Sequence, residues 1–108
     1  MGYIRHHAIV VTCFQEEDVI QAHRKAVEIF GSSVSNIVEG KVNSYYSFFV
    51  GPDGSELGWP EDEEGDKRRD TYIEYLESLK YEDGSSAYDY AELFYGDDGG
   101  EAGIVRHN

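Results

Sequence analysis

The stretch Tyr3-Ile4-Arg5-His6-His7-Ala8-Ile9-Val10-Val11-Thr12-Cys13 decides the fold class of this chain. Its centre, Ile9-Val10-Val11-Thr12, is β-branched and has no alternating polar face. A strand of that kind is covered on both sides and runs through the middle of a sheet. Glu16-Glu17-Asp18 follow closely, and acids there complement the positive end of a helix. Val19, His23, Val27 and Phe30 then recur at near-helical spacing, with Ile20 and Ala26 widening the stripe. Gly31 stands where a helix ends in positive φ, so the spacing predicts a helix over residues 15–30.

Further along, residues 32–35 read as loop and 36–39 as a short strand turning at Gly40. Residues 42–50 read as a strand with Tyr46, Phe48 and Val50 on one face and Tyr45, Ser47 and Phe49 on the other. Gly51-Pro52-Asp53-Gly54 is turn chemistry, since proline presets φ and Gly54 accepts positive φ. Residues 56–59 are expected to return as a short edge strand ended by Pro60. The acidic run Glu61-Asp62-Glu63-Glu64 leads to Gly65 and to Asp66, the expected N-cap of a second helix over 66–80. Arg69, Tyr72, Ile73, Leu76 and Leu79 mark one face of that helix.

After a turn at residues 82–86, residues 87–95 alternate, placing Ala91, Leu93 and Tyr95 opposite Tyr90, Glu92 and Phe94. A last strand is expected at 102–106. The order strand, helix, strands, helix, strands predicts a single α+β domain over residues 1–108. Its two helices lie on one face of a mostly antiparallel sheet, in a ferredoxin-like or related arrangement.

The 108 residues suit one domain, and 40% apolar content with nine Tyr, five Phe and one Trp argues against disorder. Cys13, the sole cysteine, forbids an internal disulfide and reads as a small buried hydrophobe. No apolar stretch approaches the roughly 20 residues of a membrane span, and no signal peptide is expected. A cytoplasmic protein with no membrane partner is expected.

Charge is distributed unevenly. Residues 1–52 hold five acids and four bases, a net of −1, whereas residues 53–108 hold seventeen acids and five bases, a net of −12. Such a field repels phosphates and attracts basic surfaces, so a basic protein partner is expected and direct nucleic-acid binding is not. The candidate surface is Asp53, Glu56, Glu61, Asp62, Glu63, Glu64 and Asp66, either a solvated loop or a carboxylate array standing in for a phosphate backbone. Trp59, amid these acids, is the candidate anchor, or else packs over the sheet edge.

Other constellations are weaker. Glu82, Asp83, Asp89, Glu92, Asp97, Asp98 and Glu101 form a second acidic set without the alternating oxygens, central glycine and distal glutamate of a calcium loop. Lys67-Arg68-Arg69 is expected at the start of the second helix, where cations oppose the dipole. It reads as neutralisation of flanking acids, or as an anion site in which Arg68 and Arg69 hold phosphate while Tyr45 and Tyr46 stack a base. Adjacent His6 and His7 point to opposite faces of a strand, and zinc spacing is absent. No metal or cofactor is expected, and no nucleophile motif or phosphate loop appears, so an ordinary enzyme is not expected.

Several stretches carry a resemblance: Arg5-His6-His7-Ala8-Ile9-Val10-Val11-Thr12, the segment 47–59 with its Gly-Pro-Asp-Gly-Ser turn, and Gly65-Asp66-Lys67-Arg68-Arg69. Tyr81-Glu82-Asp83-Gly84-Ser85 and Tyr95-Gly96-Asp97-Asp98 add to it. In this ordered set the chain resembles a family of small proteins encoded by tailed phages and prophages. The resemblance implies an accessory phage protein that counters a host defence, and it carries no site residues onto this chain. The expectation is therefore a non-enzymatic inhibitor that binds a host protein through its acidic half, in the manner of a nucleic-acid mimic. The alternative is a sponge for a cyclic nucleotide or an ADP-ribose derivative, assembled as a homo-oligomer with pockets between subunits.

Overall fold

The structure is a computed structural model that describes residues 4–42, 44–51, 55–56, 60–96 and 102–108. In chain order these form β1 (Ile4–Cys13), α1 (Glu16–Phe30), β2 (Val38–Glu39), β3 (Tyr46–Val50), β4 (Ser55–Glu56), α2 (Pro60–Ser78), β5 (Asp89–Gly96) and β6 (Ala102–His107). The strands make one sheet in the order β2-β3-β1-β5-β6, with β4 paired to the start of β1. Every pairing is antiparallel. The β-branched run of β1 lies at the centre, as its composition requires. Leaving out β6 and the short β4, the order is that of a ferredoxin-like β-α-β-β-α-β unit, and β6 extends the edge beyond β5.

Register decides which side chains meet the helices. Ile9 pairs with Val50, Val11 with Phe48 and Cys13 with Tyr46, while on the other flank Val11 pairs with Tyr90 and Ile9 with Glu92. The apolar members of this set form the core with Val19, Ala22 and Ala26 of α1 and Tyr72, Ile73 and Leu76 of α2. The intervening positions, Val10 with Phe49 and Ala91, and Ala8 with Leu93, occupy the opposite face. Both helices thus cover one side of the sheet.

Four expectations need correction. The second helix begins at Pro60 and ends at Ser78, where 66–80 was expected. Proline suits the first helical position, since its fixed φ matches and its missing N–H would be unpaired there anyway. The acids at 61–64 then complement the helix's positive end. Asp66 is consequently not an N-cap, and Lys67, Arg68 and Arg69 lie in the middle of the helix, clear of the dipole cost.

The segment after the Gly51 turn does not return against β3. Ser55 and Glu56 pair with Arg5 and Ile4, continuing the line of β3 along β1. Residues 52–54 and 57–59 lie outside the described residues. The strand expected over 42–50 is shortened at its start, because Ser44 takes positive φ and Gly40 N–H donates to the Tyr45 carbonyl.

In α1 the buried line is Val19-Ala22-Ala26, with Ile20 (41%) and Val27 (43%) exposed. Small alanines let the helix axis approach the sheet closely, so they, and not the larger Val27, take the contact line. Gly31 does end the helix, at φ 65°, with its N–H bonded to the Val27 carbonyl.

Candidate functional site

The expected partner-binding residues divide three ways. Asp53 and Trp59 lie outside the described residues. Glu56 is in β4, opposite Ile4, and Glu61, Asp62 and Glu63 belong to the opening of α2. Glu64 and Asp66 are exposed on the helix. From residue 60 onwards, then, the acidic segment is a helix and not the solvated loop of one sequence reading.

The burial pattern of α2 turns its charge outward. Gly65, Arg69, Tyr72, Ile73 and Leu76 face the sheet, at the i, i+4, i+7, i+8, i+11 spacing of one helical side. Glu64, Asp66, Asp70, Glu74 and Glu77 are exposed. Four of these carboxylates hold intramolecular partners. Glu64 meets Arg68 at 3.4 Å, Asp66 meets Arg69, Asp70 meets Arg106 at 2.6 Å, and Glu77 accepts the Tyr90 hydroxyl at 2.6 Å. Exposed pairs such as Glu64–Arg68 are worth only about 0–1 kcal/mol, so a stronger cation can replace the internal one.

The linear charge density of α2 bears on nucleic-acid mimicry. Eight acids and three bases give the helix a net of −5 over 19 residues. At a rise of about 1.5 Å per residue this is one net charge per about 6 Å, against one per about 1.7 Å in duplex DNA. The helix alone is about three times too dilute to reproduce a duplex field. It is a moderately anionic protein surface.

Glu92 departs most from the sequence reading. Grouped there with the surface acids, it is 3% exposed and lies on the helix-facing side of β5. It pairs with Arg69 at 3.4 Å and accepts the Arg106 Nε–H at 2.5 Å. Burial works against the Arg106 charge, but hydrogen bonds to Glu92 and Asp70 outweigh it and hold its pKa above the ordinary value. The β5 alternation already placed Glu92 on the same side as Tyr90 and Phe94. That was the available signal for a buried carboxylate needing a cationic partner.

Arg69, half of the candidate phosphate clamp, is itself 3% exposed and committed to Asp66 and Glu92. Arg68 and Arg69 border a cavity of about 90 Å³ with Ile9, Val50 and Gly51. A cavity for a drug-sized ligand runs to about 300–1,000 Å³, so this one does not admit a nucleotide. Tyr45 lines a different cavity, with Cys13 and Tyr88. Tyr46 pairs with Cys13, four residues along β3 from Val50, or about 13 Å at strand rise. The four residues are not brought together.

Four other tyrosines have a structural role. Tyr72 on α2 donates to the Ala22 carbonyl at 2.8 Å, and Tyr81 and Tyr88 donate to the Asp18 carboxylate (2.8 Å) and carbonyl (3.2 Å). With Tyr90 on Glu77, these hydroxyls tie the helices to each other and to the sheet. Their rings fill the core while the hydroxyls satisfy helix groups.

Cys13 is 2% exposed, and burial, reinforced by Asp18 and Asp89, pushes its thiol up to about 12. Such a thiol is protonated and unsuited to nucleophilic attack. Among the described residues no three His, Cys, Asp or Glu side chains are placed to hold a metal ion, and no helix is long and apolar enough to cross a membrane. No family model, curated protein or solved structure matches the chain.

Proposed function

We propose that this protein is a non-enzymatic binder that docks on a positively charged protein surface through the outer side of α2 and the acids preceding it. The observation that carries this reading is the placement of Glu64, Asp66, Asp70, Glu74 and Glu77, all exposed on one helix whose opposite side is locked into the core. A rigid helix presents its charges at low entropic cost, and charge steering speeds encounter with a basic partner. The calculated charge density favours a basic protein patch in general over a groove shaped for duplex DNA. In the phage setting implied by the sequence resemblance, the partner is a host protein that the binding inhibits.

The test is affinity capture from host extract with the tagged full chain, at low and high salt, beside a variant carrying Glu61→Lys, Asp62→Lys, Glu63→Lys and Glu64→Lys. The wild type should retain a basic protein whose recovery falls as salt rises, and the variant should lose it. Equal capture of the same protein by the folded variant would sink the proposal.

A further inference from the structure

The face of the sheet opposite the helices carries Val38, Phe49, Val10, Leu93, Tyr95 and Ile104 by register. None of these belongs to the core cluster, and Val38 (63%) and Ile104 (59%) are largely exposed. Among the described strand positions on this face, the charged residues are Glu56, opposite Ile4, and Asp89, opposite Thr12, one at each end of β1. A chain of net charge −13 has thus kept acids off the middle of this surface and placed most of them elsewhere. Between the edge residues Val38 and Ile104, the side chains of Val10, Phe49 and Leu93 are half-buried and Ala8 is buried, and a partly exposed apolar face of this kind marks an interaction site.

We infer that the occupant of this face is a second copy of the chain, packed sheet against sheet about a two-fold axis. Area supports it. The five strands contribute 2, 5, 10, 8 and 6 residues. At about 4.8 Å between strands and about 3.3 Å per residue they present about 500 Å² per copy before side-chain relief is counted. Two copies bury about 1,000 Å² by this measure, the least that a biological interface clears, and side-chain relief adds to it.

Charge supports it as well. A basic partner recognised by its charge finds carboxylates only at the ends of this face, whereas its apolar middle is self-complementary under two-fold symmetry. With sheets about 10 Å apart and a helix about 10 Å across on each outer side, the two acidic helix layers stand about 30 Å apart. That exceeds the Debye length of about 8 Å several-fold, so mutual repulsion is screened. The dimer leaves both α2 surfaces pointing outward.

Sedimentation velocity of the full chain across micromolar concentrations tests this. The wild type should sediment as a dimer. Ile104→Glu and Phe49→Glu should each weaken association at least about 100-fold, because symmetry buries the new carboxylate twice without a partner. Val27→Glu, on the outer side of α1, should leave the dimer intact. Circular dichroism checks folding, and should Phe49→Glu unfold, the exposed Ile104→Glu carries the test. A monomeric wild type at every concentration overturns the inference, as does a dimer untouched by Ile104→Glu in a folded protein. A monomer that cosediments with neutral phosphatidylcholine vesicles overturns it too, assigning the face to lipid.

Discussion

Arg69 of α2 and Glu92 of β5 meet at 3.4 Å between the helix layer and the sheet, with side chains 3% and 4% exposed. Arg106 on β6 shares the same carboxylate, so one buried anion joins the second helix to the edge hairpin. Removing one member of such a cluster leaves the others charged in a low-dielectric site. Glu92→Leu is predicted to lower unfolding free energy by about 3–5 kcal/mol in urea titration. Pairing it with Arg69→Met should restore more than about 1 kcal/mol, since the stranded cation is removed as well. A double variant no more stable than Glu92→Leu alone would refute the coupling.

Tyr72→Phe keeps the ring but deletes the hydroxyl that bonds the Ala22 carbonyl at 2.8 Å. Tyr72 is fully buried, so the carbonyl loses a partner without gaining water. The expected loss is about 1–3 kcal/mol, read from the denaturant midpoint at unchanged slope. A loss below a few tenths would mean that the carbonyl finds another donor.

Gly51 follows β3 where the backbone passes the turn after α1, with its N–H on the Ser33 carbonyl at 2.5 Å. A Cβ there would stand 2.8 Å from that same carbonyl oxygen. The obstacle is backbone, which cannot rotate aside, so Gly51→Ala should destabilise by about 1–3 kcal/mol. Gly84→Ala provides a contrast: its added methyl meets nothing within 4 Å, but its φ of 86° is strained for any L residue. Thermal melts of both variants separate the clash from the strain.

The buried phenols and thiol predict alkaline sensitivity. Burial, then the hydrogen bond to Glu77, pushes Tyr90 up to about 12 from an ordinary 10.0, and burial pushes Cys13 up to about 12 from 9.0. Tyr72 and Tyr88 are raised as well, mainly by burial. A raised folded pKa means that the folded state holds its proton longer than the unfolded chain does. The stabilisation is therefore complete below the unfolded values and is lost as pH climbs from about 9–10 towards about 12. Tyrosinate absorbance followed with circular dichroism should show one fraction of tyrosines ionising freely and another ionising together with unfolding. Ionisation of all nine Tyr before any loss of structure would contradict this.

The fold was legible where composition has one physical outcome. Ile9-Val10-Val11-Thr12 places β1 at the centre of the sheet, but the helices cover only the side of Ile9 and Val11, and Val10 and Thr12 lie on the opposite face. The alternation through Tyr90, Glu92 and Phe94 separated the two faces of β5 correctly. The start of α2 is not legible in composition, because four acids suit a loop and, after proline, equally suit a first helical turn. The stripe of α1 is not legible either, because hydropathy ranks Val27 above Ala22 whereas close packing prefers the smaller side chain.

By itself the chain determined its class, its central strand, its helices and its negative charge, because periodicity, propensity and formal charge are local properties. Tertiary structure alone decided which charges reach solvent. Arg69 stands on the apolar stripe of α2 and Glu92 beside Tyr90 and Phe94 on β5, but only the convergence of β5, β6 and α2 makes them partners. Val10, Phe49, Leu93 and Ile104 look like core until the register turns them away from both helices. Charge and hydrophobicity belong to residues, but burial arises from pairings far apart along the chain, and the surface offered to a partner follows from burial.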